Sequence, residues 1–211
     1  MMPIRPRLYL ALLAAIAAAA CSAARTPPAS GRPGEGSARS AQPYTAADVH
    51  FMSAMIAHHA QAIVMAGMAR THDAGPSVRV LAERIASAQQ DEIRAMQEWL
   101  RAHGQPVPGA DAMDVNHMLH GVAHALIPGM LSESQMQQLD ASSGKQFDRL
   151  FLSLMIQHHQ GAISMVDELF ASYGAAQDQT VFKLASDVDA DQSAEIARMQ
   201  TMLLDLVEQD P

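Results

Sequence analysis

Apolar side chains recur three and four residues apart in the segment that starts near residue 45, as the buried face of an α-helix requires. The apolar positions of its first stretch are Phe51, Met55, Ile56, Ile63 and Met65. Thr45, with Asp48 three residues later, resembles a capping box and predicts that the helix begins near Thr45.

Glycine and proline divide this pattern into hairpins. Gly75-Pro76 is expected to end or follow the first helix, and Ser77 is a candidate N-cap for a second one. Gly104 and Pro106 should stop that second helix. The sequence therefore predicts a helical hairpin over residues 45–104.

The hairpin is duplicated. Residues 48–66 (DVHFMSAMIAHHAQAIVMA) align without a gap with residues 148–166 (DRLFLSLMIQHHQGAISMV), and ten of nineteen positions are identical. Residues 81–100 align in the same way with residues 184–203, and Ser172-Tyr173-Gly174 breaks the second hairpin. Four helices of this kind predict an antiparallel four-helix bundle. We expect repeats at 45–104 and 145–207 within one domain, 44–209, and a pseudo-twofold axis that brings the two His-His pairs together.

The connector, residues 105–144, is expected to hold two short helices. Val115 to Leu126 could form one, and Ser132 to Leu139 another with Ser132 as its N-cap. His117, His120 and His124 would share a face of the first. That face is either an accessory metal site or the polar side of a surface helix.

Composition narrows the class of protein. Aromatic residues make up 4% of the chain, so Ala, Leu, Ile and Met supply the apolar volume, which favours helices over strands. The net charge of -8 argues against a nucleic-acid partner, because phosphates require basic neutralisation. The chain has one cysteine, 15 methionines and 10 histidines. A soft-metal site in its folded part must therefore use thioethers and imidazoles.

The N-terminus predicts export. Arg5 and Arg7 precede an apolar run, residues 8–20, that is too short to span a bilayer comfortably. Small residues before Cys21 resemble a lipoprotein cleavage site, although Ala18 stands where Leu is usual. We expect residues 1–21 to be a leader, with lipidation at Cys21 as the only membrane contact or, alternatively, ordinary cleavage nearby. Residues 22–43, rich in Ala, Pro, Ser and Gly, are expected to be a flexible linker that holds the domain at the periplasmic or cell surface.

Candidate metal ligands fall on one face of each hairpin's first helix. Imidazole and thioether are neutral ligands that suit Cu(I) and, by extension, Ag(I). The candidate ligands are His58, His59, Met55, Met65, His158, His159, Met155 and Met165. The second helices contribute candidates that either bind the metal or orient an imidazole, namely Glu92, Met96, Glu195 and Met199.

The alternative for the same residues is a structural His–Glu network without metal. A methionine on a helix is often gap-filling core. Burial of two adjacent imidazoles, by contrast, costs free energy unless both are satisfied. Neutral imidazole ligands predict that metal affinity falls as the pH drops below about 6.5.

The quoted blocks, with Pro128-Gly129-Met130, resemble the bacterial domain-of-unknown-function family 305 over residues 45–207. The resemblance implies a ferritin-like four-helix bundle, exported or membrane-anchored, with studied members associated with copper or silver binding and tolerance. We therefore expect an exported protein that binds Cu(I) or Ag(I) and is not an enzyme. Its expected partners are metal ions and envelope proteins that handle copper.

Two other functions stay open. One is an interaction module of the cell envelope with a structural His/Glu network. The other is a ferritin-like di-iron oxidase, which needs Glu-x-x-His pairs, and the sequence contains none. The sequence does not indicate the oligomeric state.

Overall fold

The computed structural model describes residues 44–109 and 127–208. In these residues it contains five helices and no strand. The helices are α1 (Ala46–Met68), α2 (Pro76–Ala102), α3 (Glu133–Asp140), α4 (Gly144–Ala171) and α5 (Gln179–Glu208). The predicted leader with Cys21, the linker, and the connector helix with His117, His120 and His124 lie outside the described residues.

Local sequence signals account for most helix ends. The Thr45 side chain accepts a hydrogen bond from the Asp48 backbone, and the Asp48 side chain accepts one from the Thr45 backbone, so the predicted capping box is confirmed. Ser132 caps α3 through the same reciprocal bonds with Gln135. The prediction for Ser77 is wrong: Gly75 is the N-cap of α2, and Pro76 takes the first helical position, where a missing N–H costs nothing.

Helix α1 lies at the centre of the domain. Asp48 is its only charged side chain, and apolar residues surround most of its circumference. A helix that is apolar on nearly all sides must be buried on nearly all sides. Accordingly α1 packs against α2 in its own hairpin and against α4 of the other, while α4 packs against α5.

Two apolar clusters show that α1 and α4 run antiparallel. The first cluster joins the N-terminal half of α1, including Met55, to the C-terminal half of α4, including Met165. The second joins the C-terminal half of α1, including Met65, to the N-terminal half of α4, including Met155. Residues of one cluster have repeat equivalents in the other, so the hairpins are related by a pseudo-twofold axis. This is the predicted all-helical bundle of two repeated hairpins.

The two hairpins are tied together by equivalent aspartates. Asp48 accepts a hydrogen bond from the backbone N–H of Ala176, which lies in the second hairpin's loop, at 2.7 Å. Asp148 accepts from the N–H of Gly75, in the first hairpin's loop, at 3.0 and 3.1 Å. Each repeat therefore caps the loop of the other, which explains why this aspartate occurs in both.

No helix in residues 44–109 and 127–208 combines the length and the apolar character that a membrane-spanning segment needs.

Candidate metal site

Four histidines lie in the middle of the domain, where α1 and α4 cross. His58, His59, His158 and His159 each have 0% exposure. The rings of His58 and His158 have their centroids 3.8 Å apart at an interplanar angle of 38°. Within each pair the ring centroids are 6.3 Å apart. The pseudo-twofold axis thus places the inner histidines, His58 and His158, against each other and the outer ones, His59 and His159, on either side.

Each outer histidine is held by a glutamate from the second helix of its own hairpin. His59 Nε2 donates to Glu92 Oε2 at 2.6 Å, and His159 Nε2 donates to Glu195 Oε2 at 2.8 Å. A carboxylate can only accept, so Nε2 carries the hydrogen in both rings. Nδ1 is left with no hydrogen-bond partner in either ring.

The inner histidines differ from each other. His58 Nε2 donates to the backbone carbonyl of Pro128 at 3.1 Å, and its Nδ1 has no partner. Neither Nδ1 nor Nε2 of His158 makes a hydrogen bond of ordinary geometry. Two repeats with the same residues therefore present differently bonded imidazoles.

Five ring nitrogens in this layer are buried and unpartnered. A buried polar atom without a partner typically costs about 1–3 kcal/mol. Each neutral imidazole has one nitrogen without a hydrogen, and the lone pair of that nitrogen is what a metal ion binds, so His158 offers one of its two unpartnered nitrogens. The donor set thus fits a soft ion, and the cost of leaving it unpaired favours a ligand.

Burial lowers the pKa of His58 and of His158 well below the ordinary value of 6.5. Electrostatic interaction with the neighbouring histidines lowers both pKa values further, and backbone oxygens, that of Pro128 for His58 and that of His58 for His158, act in the opposite direction. The inner imidazoles are therefore neutral at neutral pH, the state in which imidazole binds metal.

The predicted methionines lie on both sides of the histidine layer. Met55, Met96 and Met165 belong to the first apolar cluster. Met65, Met155 and Met199 belong to the second. Each group combines thioethers from both hairpins, and all six side chains are buried. The structure therefore brings together candidates that stand about a hundred residues apart.

An acidic groove between α2 and α5 reaches Glu92, the residue that holds His59. It encloses about 350 Å³ and is lined by Asp91, Glu92, Asp187 and Asp191 among others. Burial, and then the nearby carboxylates with Glu92 first, raise the pKa of Asp191. Glu92 therefore belongs both to the groove and to the hydrogen bond with His59, and Arg84 opposes the carboxylates by lowering the pKa of Asp191.

The contacts of the inner layer were missed by sequence reasoning. In the sequence Pro128 stands out only as part of the Pro128-Gly129-Met130 motif, yet its carbonyl accepts a hydrogen bond from His58. Gln61 binds the backbone of Leu131, and Gly161, its repeat equivalent, contacts Pro128 and Gly129. The available signal was the mismatch of Gln61 with Gly161 between otherwise similar repeats. A site made of His, Cys, Asp and Glu alone is a separate question: in the described residues, no three such side chains are grouped so as to hold one metal ion.

The sequence profile of the domain of unknown function DUF305 matches residues 48–203. The chain belongs to the DUF305 family. A search of curated proteins finds no match.

Solved structures of the DUF305 family resemble this chain. One, from Streptomyces coelicolor and thought to be secreted, is 29% identical with a TM-score of 0.64 and covers 76% of this chain and 93% of its own. A fragment from Deinococcus radiodurans is 32% identical with a TM-score of 0.63 and covers 76% and 97%. CopM in its Cu(II)-bound form is 31% identical with a TM-score of 0.58 and covers 75% and 96%. CopM also has Cu(I)-bound and Ag-bound structures.

Proposed function

We propose that this DUF305 protein is an exported metal-binding protein that takes Cu(I) or Ag(I) through histidine and methionine side chains, without catalytic turnover, for metal tolerance or buffering. One observation carries the proposal. Four fully buried imidazoles, with five unpartnered ring nitrogens, lie between two groups of buried methionines.

The ligand chemistry favours soft monovalent ions. Imidazole and thioether are neutral, and thioethers in particular suit Cu(I) over harder divalent ions. The structures of CopM with Cu(I), Cu(II) and Ag support the same metals for a related chain that is about 30% identical.

Each group of residues has a distinct role in the proposal. The inner and outer histidines supply ring nitrogens, and the two methionine groups supply sulfur. Glu92 and Glu195 hold the outer imidazoles in the tautomer that leaves Nδ1 bare. The acidic groove that ends at Glu92 attracts cations towards the layer.

A competitive titration with Cu(I) or Ag(I) tests the proposal. The full chain is compared with a variant that carries His58→Ala, His59→Ala, His158→Ala and His159→Ala. Both carry Cys21→Ser, so that the single thiol does not bind the metal. We expect the variant to lose most of the binding, while His50→Ala, an exposed histidine on α1, leaves it unchanged.

Two further sets of variants distinguish the contribution of the methionines from that of the connector histidines. Met55→Leu with Met155→Leu conserves volume and should weaken Ag(I) binding, whereas Met202→Leu, at the edge of the core, should not. A variant of His117, His120 and His124 to Ala measures any accessory site. Equal stoichiometry and affinity in the wild type and the folded four-histidine variant, checked by far-UV circular dichroism, would contradict the proposal.

A second candidate function is supported by the His59–Glu92 and His159–Glu195 hydrogen bonds. These bonds are also what a purely structural network in an envelope interaction module would contain. In that case the four-histidine variant would lose stability in the metal-free state, and metal ions would leave the wild type's stability unchanged.

The location of the protein belongs to the same proposal. A signal-like leader and the secreted relative support export, and Cys21 is the proposed lipid anchor. Copper-handling proteins of the envelope are the expected partners. Metabolic labelling with a fatty acid tests the anchor: label should enter the wild type and be absent from Cys21→Ser.

A further inference from the structure

Residues 127–132, which we call the strap, cross the histidine layer on the side of α1 and α4. Gln61 of α1 forms two hydrogen bonds with the backbone of Leu131 in the strap. The Leu131 N–H donates to Gln61 Oε1 at 2.8 Å, and Gln61 Nε2 donates to the Leu131 carbonyl at 3.1 Å. These bonds are buried, so the strap is fixed to α1 by its backbone.

On α4 the strap rests on a glycine. A Cβ added to Gly161 would lie 2.1 Å from the Pro128 carbonyl oxygen and 2.4 Å from the Gly129 Cα. Gly129 itself has a φ of +75°, and a Cβ there would lie 2.6 Å from the Gly161 Cα. The two backbones can approach this closely only because neither residue has a side chain.

The close approach sets the chemistry of His58. It carries the Pro128 carbonyl to 3.1 Å from His58 Nε2. A carbonyl accepts and cannot donate, so Nε2 holds the hydrogen and Nδ1 keeps its lone pair. Pro128 thus does for the inner His58 what Glu92 does for the outer His59.

The strap breaks the pseudo-twofold symmetry. Positions 61 and 161 are equivalent in the repeats, yet Gln61 holds the strap and Gly161 accommodates it. Only His58 receives the Pro128 carbonyl. The His58 backbone comes near the His158 ring without making a bond of ordinary geometry, so neither nitrogen of His158 is fixed.

We propose that the strap is a positioning element of the metal site, which presents Nδ1 of His58 as a preset ligand and leaves His158 as the imidazole that adjusts its tautomer when the ion binds. The inference rests on the proposed function for its metal-binding step. Pro128 contacts no ion in this scheme and acts through His58.

The test compares Gly161→Ala with Gly67→Ala in chains that all carry Cys21→Ser. The first variant pushes the strap off α4, while the second places the same methyl group on a helical glycine with no atom within 4 Å. Two quantities are measured: the ¹⁵N shifts of the His58 ring in the metal-free protein, and the affinity for Ag(I).

We expect wild type and Gly67→Ala to show His58 protonated at Nε2 and to bind Ag(I) equally. Gly161→Ala should show a mixture of His58 tautomers and roughly 10- to 100-fold weaker binding, the loss typical when a histidine ligand's outer partner is removed. Where Gly161→Ala does not fold, Gln61→Ala releases the strap from α1 without a clash and should move both quantities in the same direction.

Two results separate the inference from the proposed function. A wild type that does not bind Ag(I) or Cu(I) overturns the proposed function. A wild type that binds, with a folded Gly161→Ala that binds equally and keeps His58 protonated at Nε2, overturns the strap's role. Protonation of His58 at Nδ1 in the wild type also overturns it.

Discussion

At the scale of single residues, three of the four imidazoles in the histidine layer are hydrogen-bonded through Nε2 and leave Nδ1 without a partner, whereas neither ring nitrogen of His158 has a partner. Glu92, Glu195 and the Pro128 carbonyl are acceptors, and each fixes the hydrogen of one ring on Nε2. A folded chain that served only stability would gain by pairing the remaining nitrogens. Their lack of partners is the main physical reason to propose that the layer binds a metal ion.

The glutamates give the first prediction. Glu92→Ala and Glu195→Ala should each weaken Ag(I) binding roughly 10- to 100-fold, because an oriented and more basic imidazole binds better. Glu92→Gln, which keeps an oxygen acceptor, should lose less. Isothermal titration calorimetry against Glu98→Ala, an exposed position on α2, measures the difference. A loss of stability with unchanged affinity would support the structural network instead.

The pKa values of His58 and His158 give the second prediction. Both are lowered in the folded state, first by burial, so the unfolded chain binds more protons below pH 6.5. The contribution of these two histidines to the free energy of unfolding is therefore fully present above pH 6.5. It decreases as the pH falls from 6.5 towards their pKa values in the folded state. Each histidine contributes at most about 1.4 kcal/mol per pH unit in that window.

Urea denaturation of the metal-free protein between pH 7.5 and 5 checks this slope. The double variant His58→Gln, His158→Gln should lose a large part of it, whereas His50→Gln should keep it. Carboxylates add the same slope to every variant, so the difference is the informative quantity. The lowered pKa values also shift the expected loss of metal affinity to a lower pH than the ordinary histidine value of 6.5 indicates.

At the scale of helices and loops, equivalent positions in the repeats serve both hairpins. Asp48 and Asp148 each accept hydrogen bonds from the opposite hairpin's loop. Burial raises the pKa of Asp148, and the Gly75 N–H opposes that effect. Positions 61 and 161 are also equivalent in the repeats but have different roles. Gln61 on α1 forms hydrogen bonds with the strap, whereas Gly161 on α4 leaves space for it.

The third prediction concerns these aspartates. Asp48→Ala removes the half of the α1 capping box in which the Asp48 side chain accepts from the Thr45 backbone, and it leaves the Ala176 N–H unpartnered, so it should lower the free energy of unfolding by about 1–3 kcal/mol. Asp148→Ala should cost a similar amount through Gly75. Asp167→Ala, at an exposed position on α4, is the control. Chemical denaturation that finds all three variants equally stable would contradict the role of the two loop bonds.

At the scale of the whole molecule, the histidine layer coincides with the interface between the hairpins. His58 and His158 meet where α1 crosses α4, and each methionine group draws on both hairpins. An ion bound there would link the two halves of the domain and bind only the folded state. We therefore expect metal binding to increase the stability of the folded state.

The fourth prediction follows from that coupling. Ag(I) at a hundred times its Kd should add about 2.7 kcal/mol to the stability of the folded state. For a domain of this size that corresponds to a rise in Tm of roughly 5–10 °C. Differential scanning calorimetry should show the rise in the wild type and its absence in the four-histidine variant. An equal rise in both would place the bound silver elsewhere.

The sequence alone determined the features that are encoded locally. Helix spacing, the capping box at Thr45 and the N-cap at Ser132 located α1 and α3, and the repeat predicted two hairpins and the paired histidines and glutamates. Ser77 failed as a cap because Pro76, one residue earlier, is suited to the first helical turn. Helix spacing and caps depend on neighbours within about four residues, and the repeat is found by comparing two segments of the same chain, so a single sequence displays both.

Only the tertiary structure decided which distant groups meet. It brought the rings of His58 and His158 against each other, divided the methionines between two clusters, and placed the Pro128 carbonyl within hydrogen-bond distance of one of two equivalent histidines. These contacts depend on how α1 and α4 cross and on the space that Gly161 leaves. Helical periodicity specifies which face of a helix is buried, but it does not specify which other helix packs against that face. The asymmetry of the site therefore appears only in the tertiary structure, where the strap is in position.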